Sequence, residues 1–159
     1  MTDGDSRTLH DALAEAKVAM VMTQVSGTWT SRPLTCVEVI DSSLRFLVDG
    51  SDDWVGDLNS ASSTVHVSFS NPGENSYASM NGAASVSADR NLIERLWTVP
   101  ASAHFDGPED PDIRVLQVDV TDGSWWDGPS GRIGQTIGLL RAAINDDPSM
   151  AGGHGTIDV

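Results

Sequence analysis

Three short stretches of this sequence carry side chains able to bind or transform a ligand. The first is Thr30-Ser31-Arg32-Pro33-Leu34-Thr35. Proline has no N–H to give to a β-ladder, so an Arg-Pro pair on a strand marks an edge or a place where a ligand approaches. Arg32 can fork onto a phosphate or a carbonyl, or stand as a surface cation at a strand end. The second is Val48-Asp49-Gly50-Ser51-Asp52-Asp53-Trp54, a loop that opens a helix. Free N–H groups at a helix start attract phosphates, and Ser51 can add a hydroxyl donor. Asp49, Asp52 and Asp53 oppose an anion, and they equally well cap the helix and favour its dipole. The third is Trp125-Trp126-Asp127. Adjacent side chains on a strand point to opposite faces, so one Trp can enter a core while the other stacks on a ligand, a partner or a neighbour. Cys36 follows Thr35 with no histidine at a diagnostic spacing, which favours a buried, inert thiol.

Other catalytic signatures are missing. The sequence has no G-x-x-x-x-G-K-[ST], no G-x-G-x-x-G after a strand, no G-x-S-x-G and no H-E-x-x-H. The four histidines fall at 10, 66, 104 and 154, and one cysteine cannot complete a thiolate cluster, so no metal site is expected.

The elements that must position these residues follow from hydrophobic periodicity. Leu9 to Lys17 reads as a helix with Leu9, Ala12, Leu13 and Ala16 on one face. Val18 to Val25, Trp29 to Val39 and Leu44 to Val48 read as three strands, turned by Ser26-Gly27 and by Asp41-Ser42-Ser43. A short helix is expected over Trp54 to Ala61. Thr64 to Phe69 alternates as a strand, Asn71-Pro72-Gly73 turns it, and Tyr77 to Ser87 follows with a bulge or close approach at Gly82. Asp89 caps a helix carrying Leu92, Ile93, Leu96 and Trp97. Ile113 to Val120 is a sixth strand, and Gly123 to Asp127 reads as a turn or short strand. Ile133, Ile137, Leu140 and Ile144 mark a last helix, and Thr156 to Val159 a final short strand. Sequential antiparallel strands in this number predict a mainly β (α+β) domain: a six- to seven-stranded barrel with peripheral helices.

Composition bounds the partners. The 159 residues fit one domain, 1–159. Nine basic against 23 acidic residues give a net charge of −14, a field that repels nucleic acid and anionic membranes. A phosphate site would have to be built locally, from a few Arg and backbone N–H groups. One cysteine excludes an intramolecular disulfide, and the polar N-terminal segment has no apolar signal core. A cytoplasmic protein is expected.

Taken in order, Met22-Thr23, Arg32-Pro33-Leu34, Phe46-Leu47-Val48, Val65-His66-Val67-Ser68-Phe69, Tyr77 to Gly82, Asp89-Arg90, Leu96-Trp97, His104 to Pro111 and Trp125-Trp126-Asp127 resemble the general stress protein 26 branch of the pyridoxamine 5′-phosphate oxidase-like proteins. The resemblance covers nearly the whole chain. It implies an antiparallel split β-barrel, a homodimer, and flavin mononucleotide (FMN) in clefts at the dimer interface. It implies cofactor contacts from Arg32, Pro33, Leu34 and Thr35, from Val48, Asp49, Ser51 and Trp54 after the third strand, and from Trp126. The redox chemistry would be the cofactor's, and no residue of this sequence reads as an obligatory acid or base, so no catalytic residue is named.

Two positions depart from the family pattern. Leu34 replaces a Met, and Trp54 stands where a phosphate-binding Lys is usual. Two functions follow. One is a flavin-dependent oxidoreductase of the stress-protein type. The other is a family member that has lost ordinary FMN phosphate binding and serves as a binding or interaction module. A deazaflavin or haem in the same cleft is a third occupant. If the acidic loop is the phosphate site, Trp54→Lys should strengthen FMN binding; if Trp54 belongs to the core, that exchange should destabilise the fold.

Overall fold

The computed structural model describes residues 18–59, 63–97, 105–127 and 153–158. Its elements are β1 (Val18–Val25), β2 (Thr28–Ile40), β3 (Ser43–Asp49), α1 (Asp53–Asn59), β4 (Ser63–Asn71), a 3-10 turn (Pro72–Glu74), β5 (Ser76–Ser87), α2 (Arg90–Leu96), β6 (Ile113–Asp127) and β7 (Gly153–Asp158). The expected helices at Leu9 to Lys17 and around Ile133 to Ile144 lie outside the described residues.

The strands form one antiparallel sheet in the order β3-β2-β1-β4-β5-β6-β7, and β3 also pairs with β6. That second pairing closes β1 to β6 into a six-stranded barrel with two short helices. β6 has two different partners on one side. Its first half, Ile113 to Asp119, pairs with β3, and its second half, Asp122 to Asp127, pairs with β7. The barrel therefore opens where β6 leaves β3.

Local chemistry explains the hairpins. β1 and β2 are joined by two residues, Ser26 and Gly27, with φ of 50° and 80°. Both central residues of a tight hairpin turn need positive φ, and glycine adopts it without a Cβ clash. Asp41, at φ 52°, serves the β2–β3 hairpin in the same way. Asp89 caps α2, accepting from the N–H of Asn91 at 3.0 Å.

Alternation along the strands fills the barrel. Val21, Phe46, Val65, Val67, Met80, Leu116 and Val118 all point inward and are essentially inaccessible. A second cluster lies outside the barrel wall, where Ile93 and Leu96 of α2 and Phe105 cover Ile113 and Val115. The first half of β6 is thus buried on both faces.

A bulge between β5 and β6 decides the fate of the tryptophan pair. Asn81 faces Asp122 while Gly82 faces Val120, so Thr121 is the extra residue. It shifts the alternation by one. The inward series Leu116, Val118, Val120 ends there. Beyond it Trp125 turns inward, 1% exposed, while Trp126 turns outward, 43% exposed. The segment expected as a separate turn or short strand, Gly123 to Asp127, is instead the end of the 15-residue β6. Its glycine and polar residues hide the alternation, and only pairing with β5 and β7 extends the strand. For the same reason β7 begins at Gly153, earlier than the expected Thr156. Helix α1 starts at Asp53, one residue before the expected Trp54, and is described to Asn59; the expected end at Ala61 lies outside the described residues.

Charged side chains fasten α2 to the barrel. Glu38 of β2 accepts from Arg95 of α2 at 2.7 Å and from Arg45 of β3 at 2.6 Å, and Arg45 donates to Gln117 of β6 at 2.9 Å. Arg95 and then Arg45 hold the Glu38 carboxyl below the usual carboxylate range, against the opposing pull of burial. A carboxyl with a depressed folded pKa contributes stability above its unfolded value, near 4.3. That contribution is lost as pH falls through the folded value. Glu38→Gln should therefore lower the urea midpoint at pH 7, and the gap to the parent should close below about pH 4. A gap that stays constant from about pH 7 to about pH 3 would show that the Glu38 charge does not stabilise the fold.

Candidate functional site

Arg32 sits at one end of the barrel on the inward-facing side of β2. Its guanidinium donates to Thr23 Oγ1 at 2.9 Å and to Thr30 Oγ1 at 2.7 Å. Its Cζ lies 4.1 Å from the ring centroid of Trp54. Thr23 and Thr30 are directly opposite one another on β1 and β2, so the hairpin register itself builds this cradle. Trp54 lies on the first turn of α1 and packs against the barrel core. Burial pulls the Arg32 pKa down from its ordinary value, and the charge of Asp52 partly restores it. No carboxylate among the described residues forms a salt bridge with Arg32. A cation held by two hydroxyls and an aromatic face, with N–H donors left over, is suited to an anionic or carbonyl-bearing ligand.

The neighbouring loop is arranged differently. Asp49 Oδ1 accepts from the Ser51 N–H at 2.8 Å and from the Ser51 hydroxyl at 2.6 Å. Both bonds hold the Asp49 carboxyl below its usual range. The two donors that Ser51 could offer a phosphate are thus already engaged. The Gly50 N–H is also engaged, donating to the Asp112 carbonyl at 2.7 Å.

The structure sorts the residues expected to bind a cofactor into separate places. Arg32 and Trp54 touch. Leu34 is half-buried against the core, and Val48 is 3% exposed within it. Pro33 and Thr35 alternate to the outward face of β2, with Pro33 opposite Met20. Asp49 and Ser51 pair with each other. Trp126 lies on the outward face of β6, opposite Tyr77, with β1, β4 and β5 between it and β2. Within one chain it does not meet Arg32. Cys36 is buried, and burial pushes its thiol up to about 12, which leaves it unreactive.

A polar constellation that the sequence shows only as scattered residues lies on the outer sheet face. His66 Nδ1 is 2.9 Å from Asn81 Oδ1, and His66 Nε2 is 2.9 Å from Ser79 Oγ. Asn81 Nδ2 donates to Asp122 Oδ1 at 2.8 Å. These residues come from β4, β5 and β6; only Ser79 and Asn81, two apart on β5, are linked by a sequence spacing.

The topology is that of a split barrel, and the Arg32 cradle stands where β2 runs on beyond its pairing with β3, which begins at Cys36. The pyridoxamine 5′-phosphate oxidase-like family matches residues 4–149, and the chain belongs to that family. No curated protein gives a significant match. Among solved structures, a protein assigned as general stress protein 26 from Jannaschia sp. CCS1 shares 20% identity, with a TM-score of 0.70 over 99% of this chain and 100% of that one. The general stress protein 26 of Bacillus anthracis str. Sterne shares 17% identity at a TM-score of 0.64, covering 75% of this chain and 91% of its own. A general stress FMN/FAD binding protein from Xanthomonas citri shares 23% identity at a TM-score of 0.62, covering 79% and 89%. These likenesses establish the shared fold. No helix among the described residues is long and apolar enough to cross a membrane.

Proposed function

We propose that the chain is a flavin-binding protein of the stress type, acting as an oxidoreductase with FMN as its cofactor. The observation that carries this reading is the Arg32 cradle: within a family of flavin-associated fold, a cation with no carboxylate salt-bridge partner among the described residues stands at the barrel end. Bound there, a flavin would supply hydride or electron transfer. Arg32 would hold its anionic or carbonyl groups, and Trp54 would fix the guanidinium plane. The reading takes residues 1–159 as one domain and places the protein in the cytoplasm as a homodimer. Val18, Met20 and Trp29 support a homodimer, since all three project outward from the β1–β2 hairpin and are 52%, 42% and 53% exposed. A second copy could also bring Trp126 to the cradle. Light scattering at micromolar concentration should give twice the chain mass; a monomer would refute the shared cleft.

One observation favours the other reading, a family member without ordinary phosphate binding. The Ser51 donors are consumed by Asp49, and Asp52 and Asp53 stand beside them. The loop does not fit a phosphate dianion, whereas the Arg32 cradle does fit a charged group. The absorption spectrum of the purified protein before and after FMN addition separates the two. A shifted, quenched flavin spectrum supports the first, and an unchanged one the second. A charge-assisted hydrogen bond is worth roughly 1.5–3 kcal/mol. Arg32→Ala should therefore weaken FMN binding about tenfold to a hundredfold. Equal affinity of mutant and parent would remove Arg32 from the site.

A further inference from the structure

We propose that the Arg32 cradle grips the carbonyl-bearing ring of a flavin and discriminates against its phosphate, with Asp52 as the specificity-determining residue, so that riboflavin is bound at least as tightly as FMN. The inference rests on the flavin reading and states which part of the flavin the chain recognises. Thr23 and Thr30 each engage one N–H of a terminal guanidinium nitrogen. The second N–H of each and the Nε–H remain as donors for a carbonyl oxygen. One face of the guanidinium lies on Trp54, 4.1 Å from the ring centroid. Among the described residues no second ring covers the opposite face. A flat ring can stack there, as guanidinium planes do on aromatic faces.

A phosphate meets the opposite conditions. Every backbone and hydroxyl donor from Gly50 to Asp52 is spent inside the protein. The Gly50 N–H donates to the Asp112 carbonyl, the Ser51 N–H and hydroxyl donate to the Asp49 carboxylate, and the Asp52 N–H donates to the Asp49 carbonyl at 3.2 Å. Helix α1 has only seven residues, so its aligned peptides add little positive potential. Asp52 opens that helix, its carbonyl accepting from the Val55 and Gly56 N–H groups. It therefore stands two residues from Trp54, and its charge acts on Arg32 beside the stack. Asp49 and Asp53 flank it in the sequence. A dianion brought to Arg32 thus meets one cation and the field of three carboxylates. A hydroxyl does not: it donates to a carboxylate. Riboflavin ends in a hydroxyl where FMN carries its phosphate, so the acceptors of this loop match the first ligand and oppose the second.

The test is a fluorescence titration of the purified protein with riboflavin and with FMN at about pH 7.5, where a phosphate monoester is mostly a dianion. At low ionic strength riboflavin should bind at least as tightly as FMN. Raising the salt from about 0.01 M to about 0.15 M shortens the screening length from roughly 30 Å to roughly 8 Å. FMN binding should then tighten while riboflavin binding stays constant. Asp52→Asn keeps a capping side chain at the helix start and removes only the charge. It should tighten FMN binding roughly three- to tenfold at low salt and leave riboflavin binding unchanged. Asp41→Asn removes one charge from the β2–β3 turn, where asparagine tolerates the φ of 52°, and should change neither affinity. A thermal melt checks each variant, and the two-ligand comparison in the parent decides the matter even if a variant unfolds. FMN bound more tightly than riboflavin and weakened by salt would overturn the inference and leave the flavin reading standing. An equal gain from Asp52→Asn and Asp41→Asn would assign the discrimination to net charge and overturn the role of Asp52. Binding of neither flavin would refute the flavin reading and the inference together.

Discussion

Gly82→Ala is expected to destabilise the protein by about 3 kcal/mol, at the upper end of the usual overpacking cost. A Cβ at Gly82 would lie 2.6 Å from Val118 Cγ1 and 2.7 Å from the Asp119 carbonyl oxygen. The valine methyl can rotate away, but the carbonyl belongs to the β6 ladder and cannot move without breaking strand pairing. Gly82 also flanks the bulge that carries Thr121. Strain there acts directly on the alternation that sends Trp125 into the core. For a chain of this size the thermal midpoint should fall by roughly 6–12 °C. Gly56→Ala is the matching control. Gly56 lies in α1 with nothing within 4 Å of its added Cβ, so alanine there should stabilise by roughly 0.5–1 kcal/mol. A Gly82→Ala midpoint indistinguishable from the parent's would show that β6 yields at this point.

Trp54→Lys is expected to destabilise by about 2–3 kcal/mol, through lost apolar burial and a lost cation–π contact. The sequence alone leaves two outcomes for this exchange, and the structure favours the second. Trp54 packs on the barrel core and carries Arg32 on its ring at 4.1 Å. A lysine would uncover that part of the core and set a second positive charge beside Arg32. The thermal midpoint should fall by roughly 4–12 °C. Part of the loss is like-charge repulsion, so the gap should narrow in high salt. Trp54→Phe keeps an aromatic face and should retain most of the stability. A Trp54→Lys midpoint equal to the parent's, at low salt, would place Trp54 outside the core.

Arg32 is visible in the sequence as an oddity, a cation before a proline on an apolar strand. Its partners are partly legible too, because a two-residue turn at Ser26-Gly27 fixes the register that sets Thr23 against Thr30. Trp54 comes near the site only through the family resemblance, and its role as the face under Arg32 needs coordinates. The His66 chain carries little sequence signal: its hydrogen-bonded partners are separated by 13 to 41 residues and meet only through the β4–β5–β6 register.

What this sequence determined by itself was local: the strand alternation, the tight hairpins, the Asp89 cap and the predominance of antiparallel strands. These follow from side-chain periodicity and from backbone conformations that particular residues favour. The tertiary structure alone decided closure of the barrel, where Ser43 of β3 meets Asp119 of β6. It decided that Trp125 rather than Trp126 is buried, because one extra residue, Thr121, opposes no partner on β5. A one-residue shift exchanges the two faces of a strand while leaving its composition unchanged. Pairing between distant segments, which no local pattern encodes, therefore settles which side chains reach the core and which face a ligand.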